Sequence, residues 1–115
     1  MKIKEIEISD QECIDIMTNA IDTGALNYWA EITHCTRNRK GYITLFSIDD
    51  DEGKHHLVSP EVIRRGATRI LTDMIVIFNE ERRLEILQNL LSDAIDADGD
   101  DAIIQAGIYN DIIYG

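Results

Sequence analysis

Proline occurs once in the 115 residues and cysteine twice. No apolar run approaches the ~18 residues of a spanning helix, and no stretch is of low complexity. Each scarcity excludes something. A chain with one proline and ordinary apolar content is not disordered wholesale. Without a spanning run, and with no signal-peptide core after Met1-Lys2-Ile3-Lys4, the chain is expected in the cytoplasm, away from membranes. Cys13 and Cys35 are too few and too far apart for a disulfide framework, and in a reducing compartment they read as small core residues. Basic residues are scarce too: 11 Lys and Arg stand against 22 Asp and Glu, a formal net charge of −11. Phosphate backbones repel such a chain, so direct nucleic-acid binding is not expected. A basic partner is attracted instead, including a protein surface that normally holds nucleic acid. Solubility alone is the simpler use of the same charge.

Motifs of catalysis are missing as well. There is no glycine-rich phosphate loop, nucleophile elbow or Walker sequence. His34, Cys35, His55 and His56 lack the spacing of zinc ligand pairs, and consecutive His55 and His56 point to opposite faces of a strand. We therefore expect no catalytic residue, no metal and no cofactor.

What is present suits one α+β domain over residues 1–115, with 44% apolar residues to build one core. Alternation predicts a strand over 2–8. Ser9-Asp10-Gln11-Glu12 is a capping box, and Cys13, Ile16, Met17, Ala20 and Ile21 form the apolar stripe of the helix it opens. Gly24 stops that helix. Aromatic and β-branched content predicts strands over 25–35, 42–48 and 54–58, joined by short loops as a meander. Tyr28, Ala30 and Ile32 would share one face of the first of these, Trp29, Glu31 and Thr33 the other. Ser59-Pro60 starts a helix running to about residue 78, in which Gly66 marks either a bend or the close approach of another backbone. Further helices are predicted over 80–94 and 100–109. The expected architecture is strand, helix, three-stranded meander, then three helices packed on one face of an antiparallel sheet of about four strands.

Two stretches invite a functional reading. Asp49, Asp50, Asp51 and Glu52 form either a solvated hairpin tip or, with Asp96, Asp98 and Asp100, an acidic contact surface for a basic partner. Asp96, Asp98 and Asp100 also imitate the first, third and fifth positions of a calcium loop, but Asp101 stands where glycine is required and Gly107 where a bidentate glutamate belongs. Starting the last helix, with Asp98 or Asp100 as its cap, is the better use of these acids. Tyr28 and Trp29, the only adjacent aromatics, are core residues or, if outward, a contact anchor.

Gly24-Ala-Leu-Asn-Tyr-Trp-Ala30, Val58-Ser-Pro-Glu-Val-Ile-Arg-Arg-Gly66 and the stretch from Asp101 through Gln105 to Tyr114-Gly115 together resemble a group of small uncharacterised proteins encoded by phages, prophages and other mobile elements. The group supplies no activity, cofactor or catalytic residue to carry over. What the resemblance implies is a setting: acidic accessory proteins of such elements, anti-CRISPR proteins among them, act against host defences by occupying a nucleic-acid-binding or assembly surface. It also implies that Tyr28, Trp29, Asp101, Gln105 and Tyr114 form one cluster, either a structural knot or a recognition site. The expected function is thus a non-enzymatic module that binds a basic protein or nucleic-acid-binding complex of the host. The alternatives are an assembly protein forming a homodimer or larger homo-oligomer through the apolar Ile112-Ile113 region and, more remotely, a small enzyme or ligand-binding protein with a pocket at Trp29, Asp101 and Gln105.

Overall fold

The computed structural model describes residues 8–71, 97–109 and 111–114. The strand expected over 2–8, except for Ile8, lies outside them, as do the helix expected over 80–94, the far end of the helix expected to reach 78, and Asp96. The described residues form an α+β fold: a three-stranded antiparallel sheet of order β1-β2-β3 and three helices.

Helix α1 (Asp10–Asp22) begins where the capping box places it, with Ser9 Oγ accepting the Glu12 N–H at 3.1 Å. Its buried stripe is Cys13, Ile16, Met17 and Ala20. Gly24 adopts φ +69° and ends it. The next residues depart from expectation. Instead of a strand from residue 25, the chain coils once more. Asn27 N–H bonds to Gly24 O, and the Trp29 and Ala30 N–H groups both bond to Leu26 O. Leu26 and Trp29, three residues apart, are thereby both buried, whereas Tyr28 between them faces outward. A helix-like spacing of apolar residues overrode β propensity here.

Strand β1 (Ala30–Arg37) pairs with β2 (Ile43–Asp50), and a bulge between Ile32 and His34 lets Ile32 and Cys35 both turn inward. Cys13 is fully buried and Cys35 half-buried. Along β2 the alternation of Phe46, Ile48 and Asp50 faces the core; at the start of the strand Ile43 is buried, whereas Tyr42 before it is 37% exposed. Strand β3 (His55–Val58) completes the meander.

Helix α2 (Pro60–Leu71) starts at the proline, as Ser59-Pro60 predicts. It lies against α3 (Ala97–Tyr109), whose residues 99–107 are all buried. Two glycines permit this contact. A Cβ at Gly66 would stand 1.9 Å from Ile103 O, and one at Gly107 would stand 2.2 Å from Val62 O. Of the two explanations for Gly66, close backbone approach is the one that applies. Arg65 Nε donates to Gly107 O at 2.9 Å and Arg69 to Ala106 O at 2.7 Å, so both guanidiniums serve carbonyls at the C-terminal end of α3. Burial, and then the charge of Arg65, lowers the pKa of Arg69. No helix among the described residues is long and apolar enough to cross a membrane.

Candidate functional site

Helix α3 carries Asp101, Gln105 and Tyr109 at successive intervals of four, which sets them on one side of the helix. This polar ridge meets three other elements. The turn before β1 brings Tyr28 and Trp29, the β2–β3 hairpin brings Asp50 and His56, and the segment after α3 brings Ile113 and Tyr114.

Asp101 is the centre of the first group. Its Oδ1 accepts Trp29 Nε1–H and Gln105 Nε2–H, each at 2.9 Å, and its Oδ2 accepts the Tyr28 hydroxyl. Gln105, with no exposed surface, extends the group outward. Its Oε1 accepts the N–H groups of Ile113 at 2.9 Å and Tyr114 at 2.8 Å, and its Nε2 donates to Tyr114 O at 3.1 Å. The Tyr114 ring stacks on Trp29, with centroids 4.8 Å apart and planes 9° off parallel. The structure thus brings together Tyr28, Trp29, Asp101, Gln105 and Tyr114. The place where a pocket beside Trp29, Asp101 and Gln105 was the alternative is filled by the protein's own residues 113 and 114.

Asp50 is the centre of the second group. Its Oδ1 accepts the N–H groups of Glu52 and Lys54, each at 2.9 Å, which closes the hairpin turn. Its Oδ2 accepts the Tyr109 hydroxyl at 2.7 Å and His56 Nε2–H at 2.9 Å, the imidazole donating because a carboxylate only accepts. Burial alone would raise the Asp50 pKa. The bonds from His56, Tyr109 and the Lys54 and Glu52 amides outweigh it and hold the carboxyl well below the usual carboxylate range. The same arrangement pushes the Tyr109 hydroxyl far up, through burial first and the adjoining Asp50 second. Tyr109 joins the groups, 6.0 Å from Trp29, 6.1 Å from Tyr114 and 5.1 Å from His56 between ring centroids.

These positions correct the expected acidic surface. Asp50 and Asp100 are buried, so neither presents charge to a partner. Asp50 points inward because it continues the Phe46–Ile48 alternation, and Asp100 because α3 is enclosed on all sides. Asp98 and Asp100 lie inside α3 rather than at its cap, since the helix starts at Ala97. The side chain of Asp98 is outside the described residues. Within a helix, residues two apart project to different sides, which removes the calcium-loop arrangement. Among the described residues no three His, Cys, Asp or Glu side chains gather as a metal set. Asp51 and Glu52 are exposed, and half-buried Asp49 receives His55 Nδ1 at 2.7 Å. Trp29 is buried and Tyr28 is 58% exposed, so the pair divides between core and surface.

Asp50, His56 and Tyr109 form the group that sequence reasoning missed. The signals were present: Asp50 follows Phe46 and Ile48 at strand spacing, and Tyr109 follows Asp101 and Gln105 at helix spacing. Searches against protein-family models, curated proteins and solved structures gave no match to this chain.

Proposed function

We propose that this protein is a non-enzymatic binding module that docks a basic protein surface through the end where the turn before β1, the β2–β3 hairpin and segment 111–114 meet. One observation carries this reading. Tyr28, whose hydroxyl lies 3.3 Å from Tyr114 O, and Ile113 are 58% and 55% exposed, while burial and then the charges of Asp50, Glu52 and Asp51, the last two exposed, push the Tyr114 hydroxyl upward. Exposed aromatic and aliphatic groups on rigid support make interface anchors, and an acidic border steers cationic partners toward them. The net charge of −11 acts in the same direction. The resemblance to proteins of phages and mobile elements suggests the setting: the cytoplasm of a host cell, and as partner a basic, nucleic-acid-binding surface of a defence complex, in the manner of an anti-CRISPR protein.

The test uses two baits on host lysate, the natural protein and a variant carrying Asp49→Asn, Asp51→Asn, Glu52→Gln and Ile113→Ser. The expected result is a nucleic-acid-binding complex held by the natural protein, released between ~0.05 and ~0.3 M salt, and not held by the variant. Equal recovery on both baits rejects this surface. The exposure of Ile113 also favours the assembly reading. Light scattering separates the two, because a homo-oligomer that dissociates when Ile112 and Ile113 are made polar replaces the partner with a second copy.

A further inference from the structure

We propose that Trp29, Asp101 and Gln105 form a peptide-binding cradle which Ile113 and Tyr114 fill in cis, and which takes in trans an extended segment bearing an aromatic residue flanked by basic ones. The inference deepens the docking surface proposed above, and its choice of basic flanks rests on that reading.

Four features carry it. First, Gln105 is wholly buried, yet both ends of its amide are spent on main-chain groups of another segment: Oε1 on two N–H groups at 2.9 and 2.8 Å, and Nε2 on a carbonyl at 3.1 Å. Such bonds recognise an extended backbone whatever its side chains. Second, the cradle is held without its occupant. Asp101 fixes the Trp29 ring and the Gln105 amide at 2.9 Å each, and Asp101 and Gln105 are one helical turn apart on buried α3. A site already in place loses little on binding. An empty cradle leaves Gln105 Oε1 without those two N–H donors, which favours refilling. Third, the Trp29 face takes a flat ring in parallel stacking, so an aromatic side chain is selected at the position of Tyr114.

Fourth, the resident segment is a poor match in charge. Tyr114 feels Asp50, Glu52 and Asp51, and the segment itself adds a further acid, exposed Asp111. A lysine or arginine in such a segment brings the opposite charge to these acids, where Asp111 brings one more of the same sign. The resident is also lightly held by area: residues 111–114 form no helix or strand, Asp111 and Ile113 are exposed, and Ile112 and Tyr114 are half-buried. Segments of this kind open locally without global unfolding.

The chain has a single tryptophan, and it lies in the cradle, so its fluorescence reports occupancy. The full chain carrying Tyr114→Ala is titrated with two synthetic peptides, Asn-Asp-Ile-Ile-Tyr-Gly and Asn-Lys-Ile-Ile-Tyr-Lys. Both are expected to give a saturable change that disappears when Gln105→Ala is added, with the lysine peptide about fivefold tighter at low salt. Failure of both peptides to bind a folded Tyr114→Ala protein overturns the cradle. Equal binding of the two leaves the cradle standing and overturns the basic-partner reading instead. Hydrogen exchange on the natural protein gives an independent check. Amides of Ile113 and Tyr114 that exchange faster than those of Ile103 and Ile104 support the proposal. Exchange only at the rate of that buried helix makes the segment a fixed part of the core and overturns it.

Discussion

Asp50 and Asp101 are both buried carboxylates, and each is met by a tyrosine hydroxyl, a ring N–H and amide hydrogens, two main-chain N–H groups on Asp50 and one side-chain amide on Asp101. They differ in where the amides come from. Those on Asp50 are main-chain groups of its own turn, two and four residues away, so these amide bonds close a hairpin and end there, while the Tyr109 hydroxyl ties the carboxylate to α3. The amide on Asp101 belongs to Gln105, which passes the connection on to the backbone of residues 113 and 114. One acid draws its amides locally, and the other holds a relay that ends on a segment outside the sheet and helices. A buried charge needs several donors in either case. What differs is whether the amide donors stabilise only a turn or also shape a receptor for another stretch of chain.

The two groups share α3, and the largest predicted effect comes from moving that helix. Gly66→Ala places a Cβ 1.9 Å from Ile103 O and 2.9 Å from Gly107 N, both backbone atoms that cannot turn aside. The expected loss is about 3 kcal/mol or more, seen as a fall in the thermal midpoint. Because Asp101, Gln105 and Tyr109 all ride on α3, Trp29 emission and the His56 ring resonances should change together. A change in one without the other would show that the groups are supported independently.

Breaking only the relay comes next. Asp101→Ala removes the acceptor of Trp29 Nε1–H, one Gln105 hydrogen and the Tyr28 hydroxyl at once, two of these donors being buried. The expected cost is ~3 kcal/mol, with red-shifted tryptophan emission and faster exchange of the Ile113 and Tyr114 amides, while His56 is unmoved. If those two amides stay protected, Gln105 holds the segment without help from Asp101, and the contrast between the acids narrows.

How far each region was legible in the sequence follows the same division. Local patterns were readable: the Ser9 cap, the Pro60 start, the Gly24 stop and the meander are signals spanning a few residues. Gly66 was readable as a question, but its answer depended on a helix some forty residues on. The group at Asp101 was anticipated only through the resemblance, and Trp29 entered it from a turn that β propensity had assigned to a strand. The group at Asp50 went unread because four consecutive acids look like solvent-facing charge. Only the alternation of Phe46, Ile48 and Asp50 separates the buried member from its neighbours. Charge runs conceal such residues, since composition describes the run and burial acts on single positions.

Asp50 has its own test in pH. Asp50→Asn keeps an oxygen for the Glu52 and Lys54 amides but removes the charge that His56 and Tyr109 address. The folded-state pKa of Asp50 is depressed below the unfolded value of about 3.9. Its contribution is therefore fully present above that pH and is lost as pH falls toward the folded value. The natural protein should be more stable than the variant at neutral pH, by a margin that is flat above about pH 5 and closes below about pH 4, as followed by denaturant midpoints across the range. A margin independent of pH would mean that the shape of the Asp50 group matters and its charge does not.

The smallest effect expected is the most discriminating for the relay. Tyr28→Phe removes one donor from Asp101 but leaves Trp29 Nε1–H and Gln105 Nε2–H in place. Tyr28 is 58% exposed, so in the natural protein its hydroxyl gains little over water, and the loss should be about 0.5 kcal/mol with tryptophan emission unchanged. The same hydroxyl lies 3.3 Å from Tyr114 O, a second and longer contact, so a modest rise in the exchange rate of segment 111–114 is expected. Should Tyr28→Phe cost as much as Asp101→Ala, the phenol rather than the buried ring and amide holds the Asp101 charge. The relay would then begin at an exposed residue, where a docking partner could reach it directly.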